Sequence, residues 1–406
     1  MTSEISFSHK LGVIVIVTSL TFLGGMVLHT YGQSQVNKAP WYGKEVFREK
    51  GCIQCHEVYG EGGSGGPDLG DKKFYGTYLE LAADMWNHFP KMFHKMQKTG
   101  FEFPSFGEKE MEQLIAYLSF IRYIGEPGSE FTGRKLLRNK ECIRCHKFGG
   151  EGGDIGPDIS AKEEYLSPLA LVESMWNHGP EIMEHFQAYD ISHPEFTGNE
   201  VADLAAAIRS YMAPTILPSG SFDLGNPENG KQLVREKECL RCHTLQGTGG
   251  DIGPDFIEMD LNYSVTQIAG KMWNHAPKMW QLMEKEEIEY PTFQRGEMAN
   301  MISYLYELKL TDEPGTVSAG STVIQEKRCL SCHLLQGEGG NLSKDLAAIE
   351  RFDSPLEMSA EMWNHAPTML EKRMEKEIQW PALTSRDMAN LYAYLQSLTP
   401  VSEAKK

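Results

Sequence analysis

All eight cysteines of this 406-residue chain fall in one pattern, repeated four times. They read Cys52-Ile-Gln-Cys55-His56, Cys142-Ile-Arg-Cys145-His146, Cys239-Leu-Arg-Cys242-His243 and Cys329-Leu-Ser-Cys332-His333. The pattern uses up every thiol, so no cysteine remains for a disulfide. Zinc ribbons space their cysteine pairs roughly 15–20 residues apart, whereas these pairs stand 90, 97 and 90 residues apart. A redox Cys-x-x-Cys of the thioredoxin kind needs a βαβ setting, and no alternating strand pattern of any length occurs here.

Cys-x-x-Cys-His is instead the attachment signature of c-type haem. The two thiols bond the macrocycle, and the adjacent imidazole lies under the iron as proximal ligand. Four covalently attached haems are therefore expected. Cys52, Cys55, Cys142, Cys145, Cys239, Cys242, Cys329 and Cys332 would hold them, with His56, His146, His243 and His333 as proximal ligands.

A second motif follows each of these at a fixed distance. Met-Trp-Asn-His occurs at Met85–His88, Met175–His178, Met272–His275 and Met362–His365, and its His always comes 32 residues after the proximal one. Such constancy marks one domain copied four times. Within each copy a short helix such as 44–50 precedes the haem motif, and a glycine-rich loop follows it. An apolar helix then carries Met-Trp-Asn-His, and a final helix such as 108–124 or 295–308 closes the repeat. Met111, Leu114, Ile115 and Leu118 recur in that last helix with helical period. Proline always stands two places after the motif His, at Pro90, Pro180, Pro277 and Pro367. Proline disfavours helix in the residue before it, so the His is expected at a helix end or kink. Because only the middle spacing is 97, the Pro/Gly/Ser-rich stretch 213–222 reads as a linker. Repeat one is then expected to pair with two, and three with four.

Lined up in this way, each repeat resembles a class I cytochrome c domain. The likeness rests on the haem motif after an N-terminal helix, the Gly-Pro-Asp loop and the C-terminal amphipathic helix, and it covers about 41–400. It implies an all-α fold of four tandem class I cytochrome c-like domains, at 41–126, 127–213, 214–312 (with the linker) and 313–406 (with a tail). It also implies that the loop proline carbonyl bonds the proximal imidazole, here at Pro67, Pro157 and Pro254, whereas the fourth repeat reads Ser343-Lys344-Asp345. In the family the distal ligand is usually a Met just before a Pro. Phe103, His193, Tyr290 and Trp380 stand there instead, so three repeats at least must find their sixth ligand elsewhere.

Only the Met and His of the second motif are present in all four copies and able to bind iron. His88, His178, His275 and His365 are the first choice, since neutral imidazole is a common metal ligand. Met85, Met175, Met272 and Met362 share the same helix face and are the alternative. Met92, Met279 and Met369 form a further set, weakened by Ile182 in the second repeat, and His193 rivals His178. The four motif tryptophans are expected to pack the core. His94 and His185 occur in single repeats and are expected at the surface.

The run Leu11–Leu28 contains no charge and follows Lys10. Its eighteen residues suffice to cross a membrane as a helix. No small-x-small cleavage site follows it, so residues 1–40 are expected to form an uncleaved transmembrane anchor and tether. Haem of this kind is attached outside the cytoplasm, which places the haem domains in the periplasm, tied to the inner membrane by a single span. A net charge of −17 excludes nucleic acid, whose phosphates need Lys and Arg, and favours a redox partner with a basic patch. The expected function is outer-sphere electron relay between redox proteins, for example from a quinol-oxidising complex to a terminal oxidase or reductase. The alternative is a multihaem reductase with one open iron. A haem-based sensor is a weaker one.

Overall fold

A computed structural model describes residues 40–398, apart from 71–75, 108, 162–164, 166, 213–224, 260–261 and 350. The expected anchor at Leu11–Leu28 and the expected linker at 213–222 lie outside the described residues. Among those described, no helix is long and apolar enough to cross a membrane.

The described residues form thirteen α-helices and four two-stranded hairpins of two residues per strand. The first repeat holds α1 (Pro40–Glu49), α2 (Tyr78–Thr99) and α3 (Glu110–Ile121); the second holds α4 (Glu130–Asn139), α5 (Pro168–Asn177), α6 (Gly179–Ala188) and α7 (Glu200–Tyr211). The third holds α8 (Pro227–Glu236), α9 (Val265–Lys285) and α10 (Glu297–Leu310); the fourth holds α11 (Val317–Glu326), α12 (Pro355–Glu375) and α13 (Ser385–Ser397). Side-chain caps start most of the motif helices. Thr77, Ser167, Ser264 and Ser354 each accept from the backbone N–H three residues on, satisfying a donor that the first turn leaves free.

In every repeat the first helix crosses the last at a glycine. A Cβ on Gly133 would lie 1.9 Å from the Asp203 carbonyl oxygen, and one on Gly230 would lie 2.0 Å from that of Asn300. Backbone-to-backbone contact this close leaves no room for a side chain. An ion pair ties the same two parts together: Lys50 to Glu110 at 2.7 Å, Lys140 to Glu200 at 3.1 Å, Lys237 to Glu297 at 2.8 Å and Lys327 to Asp387 at 3.2 Å. Each lysine stands just before the haem motif, so the pair also fixes where that motif begins.

Two expectations need correction. The first concerns pairing. The core divides into two clusters, one joining repeats one and four, the other repeats two and three with a few residues of repeat one. The four copies of Met-Trp-Asn-His are alike, so the sequence does not say which meets which, and linker position was a poor guide.

The clasp that makes the pairs is reciprocal. The Trp86 indole N–H donates to the Pro381 carbonyl at 2.8 Å, and that of Trp363 to Pro104 at 2.8 Å. Trp176 donates to Pro291 at 2.7 Å, and Trp273 to Pro194 at 2.8 Å. The neighbouring asparagine pairs with one backbone unit of the partner in both directions. Asn87 donates to the Leu383 carbonyl and accepts from the Leu383 N–H, both at 2.8 Å. Asn364 holds Phe106 in the same way, Asn177 holds Phe293 and Asn274 holds Phe196. The motif tryptophans are at most 4% exposed, as expected of core residues, but the core they fill lies between two repeats.

The second correction concerns the proline. Only repeat two breaks at its motif His, between α5 and α6; α2, α9 and α12 run through Pro90, Pro277 and Pro367. A helix-interior proline frees the carbonyl four residues earlier, which here is that of the clasp tryptophan. The partner repeat supplies the missing donor. Trp380 Nε1 donates to the Trp86 carbonyl at 3.0 Å, His193 Nε2 to that of Trp273 at 3.2 Å, and the Tyr290 hydroxyl to that of Trp176. The freed carbonyl is thus satisfied in three repeats, whether the helix continues, as in α2 and α9, or breaks, as between α5 and α6; Phe103, which stacks on Trp363, carries no donor. In the second repeat Gly179 follows the His directly, and Gly-Pro restarts the helix.

The two pairs also touch. Asp312, after α10, accepts from the Thr77 hydroxyl and, at 2.9 Å, from the Leu79 N–H at the start of α2. Tyr123 stacks on Tyr306 with centroids 3.7 Å apart, and its carbonyl accepts from the Val265 N–H at 2.7 Å.

Candidate haem sites

Each Cys-x-x-Cys-His forms a single 3-10 turn after the first helix, at Cys52–Gln54, Cys142–Arg144, Cys239–Arg241 and Cys329–Ser331. The N–H of the proximal His donates back to the carbonyl of the first Cys at 2.9 or 3.0 Å, so both thiols and the imidazole are held on one tight coil. None of the cysteines forms a disulfide. Burial pushes the Cys52, Cys142 and Cys239 thiols to about 11 and raises Cys329 as well. They are therefore protonated at neutral pH and are not reactive thiolates.

The proximal imidazoles are oriented through Nδ1. Each donates to a backbone carbonyl eleven residues on: His56 to Pro67 at 3.1 Å, His146 to Pro157 at 3.0 Å, His243 to Pro254 at 3.0 Å and His333 to Lys344 at 3.2 Å. The bond needs only a carbonyl, so Lys344 serves where the other repeats have proline. A glycine packs directly on the ring: a Cβ on Gly156 would lie 2.3 Å from His146 Cε1. In repeat three, Phe256 stacks on His243 at 4.6 Å. With Nδ1 occupied, Nε2 is left to face the iron.

The motif histidines are all four exposed, on helices whose other face is buried. His275 Nδ1 donates to the Lys271 carbonyl and His365 Nδ1 to the Glu361 carbonyl, both at 2.5 Å. This too frees Nε2. The rings of His333 and His365 lie edge-on to each other, with centroids 6.4 Å apart and planes at 74°. An iron bound by two imidazoles at roughly 2 Å each holds their centroids roughly 6 Å apart. In the fourth repeat His333 and His365 are thus spaced so that the two rings could hold one haem iron between them. His178 lies near His146 and His275 near His243, close enough for their charges to interact. Burial lowers the pKa of His146, His275, His333 and their partners' charge adds to it, against the opposing backbone bonds. Low values keep the rings neutral, the form that binds metal.

The other candidates pack against the cores between the repeats. Met85 and Met362 pack against the core of the one–four pair, Met175 and Met272 against that of the two–three pair. Met92, Met369 and Met279 pack in the same two places. His193 stacks on Trp273 at 4.8 Å, with Nε2 on that residue's carbonyl. The other residues at its position do likewise: Phe103 stacks on Trp363 at 5.3 Å, Tyr290 on Trp176 at 5.5 Å, and Trp380 lies 4.3 Å from Trp86. Where the resemblance implies a distal ligand, this chain has clasp residues. Their aromatic character and alternation with proline were visible in the sequence, but their destination in another repeat was not.

These arrangements fit covalent haem, with a coiled thiol pair and an oriented proximal imidazole in every repeat and, in the fourth, a second oriented imidazole beside it. The comparisons with known proteins agree. The cytochrome c family model matches residues 42–121, 227–309 and 317–399. A stretch of 86 residues is 34% identical to cytochrome c oxidase subunit 2 of Alkalihalophilus pseudofirmus. It makes up 20% of this chain and 25% of that protein, so the chain spans a quarter of the relative's length. No solved structure matches the chain. Since the family model covers more than half of the sequence in three separate stretches, each with its own Cys-x-x-Cys-His, the chain belongs to the cytochrome c family and is a multi-domain c-type cytochrome.

Proposed function

We propose that this protein carries four c-type haems, each bound through its Cys-x-x-Cys-His and closed by the His of Met-Trp-Asn-His, and that it relays electrons between other redox proteins. The observation that carries this reading is the closeness of His333 and His365, each oriented by an Nδ1 bond to the backbone. An iron closed on both sides has no place for a substrate. Haem supplies reversible one-electron chemistry when bound, and two histidine ligands give it a lower potential than His/Met ligation. The chain's residues orient the imidazoles, exclude an exogenous ligand from the sixth position and set the spacing of the groups.

The span Leu11–Leu28 would anchor the relay in the inner membrane with its haem domains in the periplasm. Likeness to a stretch of an oxidase subunit supports a place near a terminal oxidase, and a quinol-oxidising complex would be a fitting donor. The excess of acidic residues suits partners with a basic face.

Carbon monoxide tests the reading. The dithionite-reduced protein, shown by its alkaline pyridine spectrum to hold four haems per chain, should keep its visible spectrum under the gas. A fast shift in about one quarter of the haem signal would reveal an open iron and favour the reductase instead.

A further inference from the structure

The clasps join repeats that lie in opposite halves of the chain. Two copies of a two-repeat chain would give the same order if the first repeat of each met the second of the other. The bonds are reciprocal in kind, with those of Trp and Asn exchanged in both directions, and the ring before each proline stacks on the partner's Trp both ways. Such self-complementarity is the mark of a two-fold interface. We propose that the protein is a fused dimer of two-haem units, in which each half is the other's docking partner and the haems work as cross-half neighbours, one with four and two with three. The coupling of haems rests on the tetrahaem reading above; the docking of the halves does not.

Side-chain volume supports this choice of partners. Each clasp centre holds one large filler. In the one–four clasp Phe89 lies 5.6 Å from Trp363 and 5.1 Å from Trp380. In the two–three clasp Trp280 lies 6.0 Å from Trp176 and 6.1 Å from Trp273. The second repeat makes room for it with Gly179, where a Cβ would lie 2.2 Å from the Trp280 ring. Pairing one with three would bring both fillers into one clasp and leave two with four none. Overpacking and voids both cost stability, so the parallel arrangement is disfavoured.

The clasp also bears on electron passage. His88 directly precedes Phe89, and His365 follows Trp363 by two residues. The rings of Phe89 and Trp363 touch across the halves, so the two proposed distal ligands are joined by a short packed bridge. Nothing comparable is formed between repeats one and two by their clasp residues, which are engaged elsewhere.

The experiment places a specific protease site within 214–221 of the full-length haem-loaded protein and cuts it after folding. The two pieces should stay together as one particle of unchanged mass under native conditions. They should separate when both clasps are weakened, by Asn87→Ala and Asn364→Ala with Asn177→Ala and Asn274→Ala, which remove hydrogen bonds but little volume. Separation should also change the reductive titration, since each haem loses its neighbour. Pieces that part without any clasp substitution would overturn the docking. Pieces that stay joined with all four asparagines removed would overturn the asparagine bonds as what holds the halves together. Separated halves that titrate as the intact protein does would overturn the cross-half coupling, while bound haem and an unchanged carbon monoxide response would leave the relay reading intact.

Discussion

His275 and His365 each give an Nδ1 bond to the carbonyl of the previous turn, and that one bond turns an ordinary helix-surface histidine toward the proximal ligand. His365→Ala should therefore make about one quarter of the haem high-spin and open to carbon monoxide, read by visible and magnetic circular dichroism spectra. An unchanged spectrum would remove this residue from the iron. His193→Ala should leave the ligation intact, because its ring stacks on Trp273 instead. At the clasp, the Tyr290 hydroxyl donates to the Trp176 carbonyl released by Pro180. Tyr290→Phe keeps the stack and removes the donor. It should destabilise the protein by about 1–3 kcal/mol, the cost of an unpaired buried acceptor, measured by denaturant unfolding with haem content unchanged. The sequence showed which residue types sit before each proline. That they serve a carbonyl in another repeat depends on a contact more than a hundred residues away in most cases, which no local pattern encodes.

Among the elements, the motif helices bear the most unusual load. They carry a proline in the middle and three of the four remain unbroken, while the partner supplies a donor to the freed carbonyl in the first three repeats. Gly179→Ala tests the exception: its methyl would meet Trp280, and overpacking of this kind costs about 1–3 kcal/mol. Thermal unfolding should show the loss, and shrinking the filler with Trp280→Leu should recover part of it. The first and last helices of each repeat depend on charge. Burial works to raise Glu110 and Asp387, but Lys50 with the Gly107 amide, and the Thr384 amide with Lys327, outweigh it and hold both carboxyls below their ordinary values. A carboxylate held low adds stability above the ordinary carboxylate range and loses it as acid protonates the group. Unfolding free energy should therefore fall as pH drops below about 5, and Lys50→Met should flatten the part of that fall due to Glu110. Helical period and the proline positions made these elements legible in advance, although the proline was expected to end or kink the helix. It ends the helix only in the second repeat, where Gly179 follows the His.

At the scale of the whole molecule, four similar domains become two nested pairs in contact through Asp312 and the Tyr123–Tyr306 stack. Asp312→Ala should loosen the contact between pairs without disturbing either clasp, seen as faster amide exchange at the start of α2 with unchanged haem spectra. What the sequence by itself determined is the chemistry: cysteine, histidine and their fixed spacings are covalent and local, so haem attachment, the repeat and its helices could be read directly. What only the tertiary structure decided is company. The clasp motif is the same in every repeat, and its partner is chosen by which volumes fill one another, Phe89 in one clasp and Trp280 against Gly179 in the other. Complementarity of that kind belongs to two surfaces at once, and a single chain read in order shows only one of them at a time.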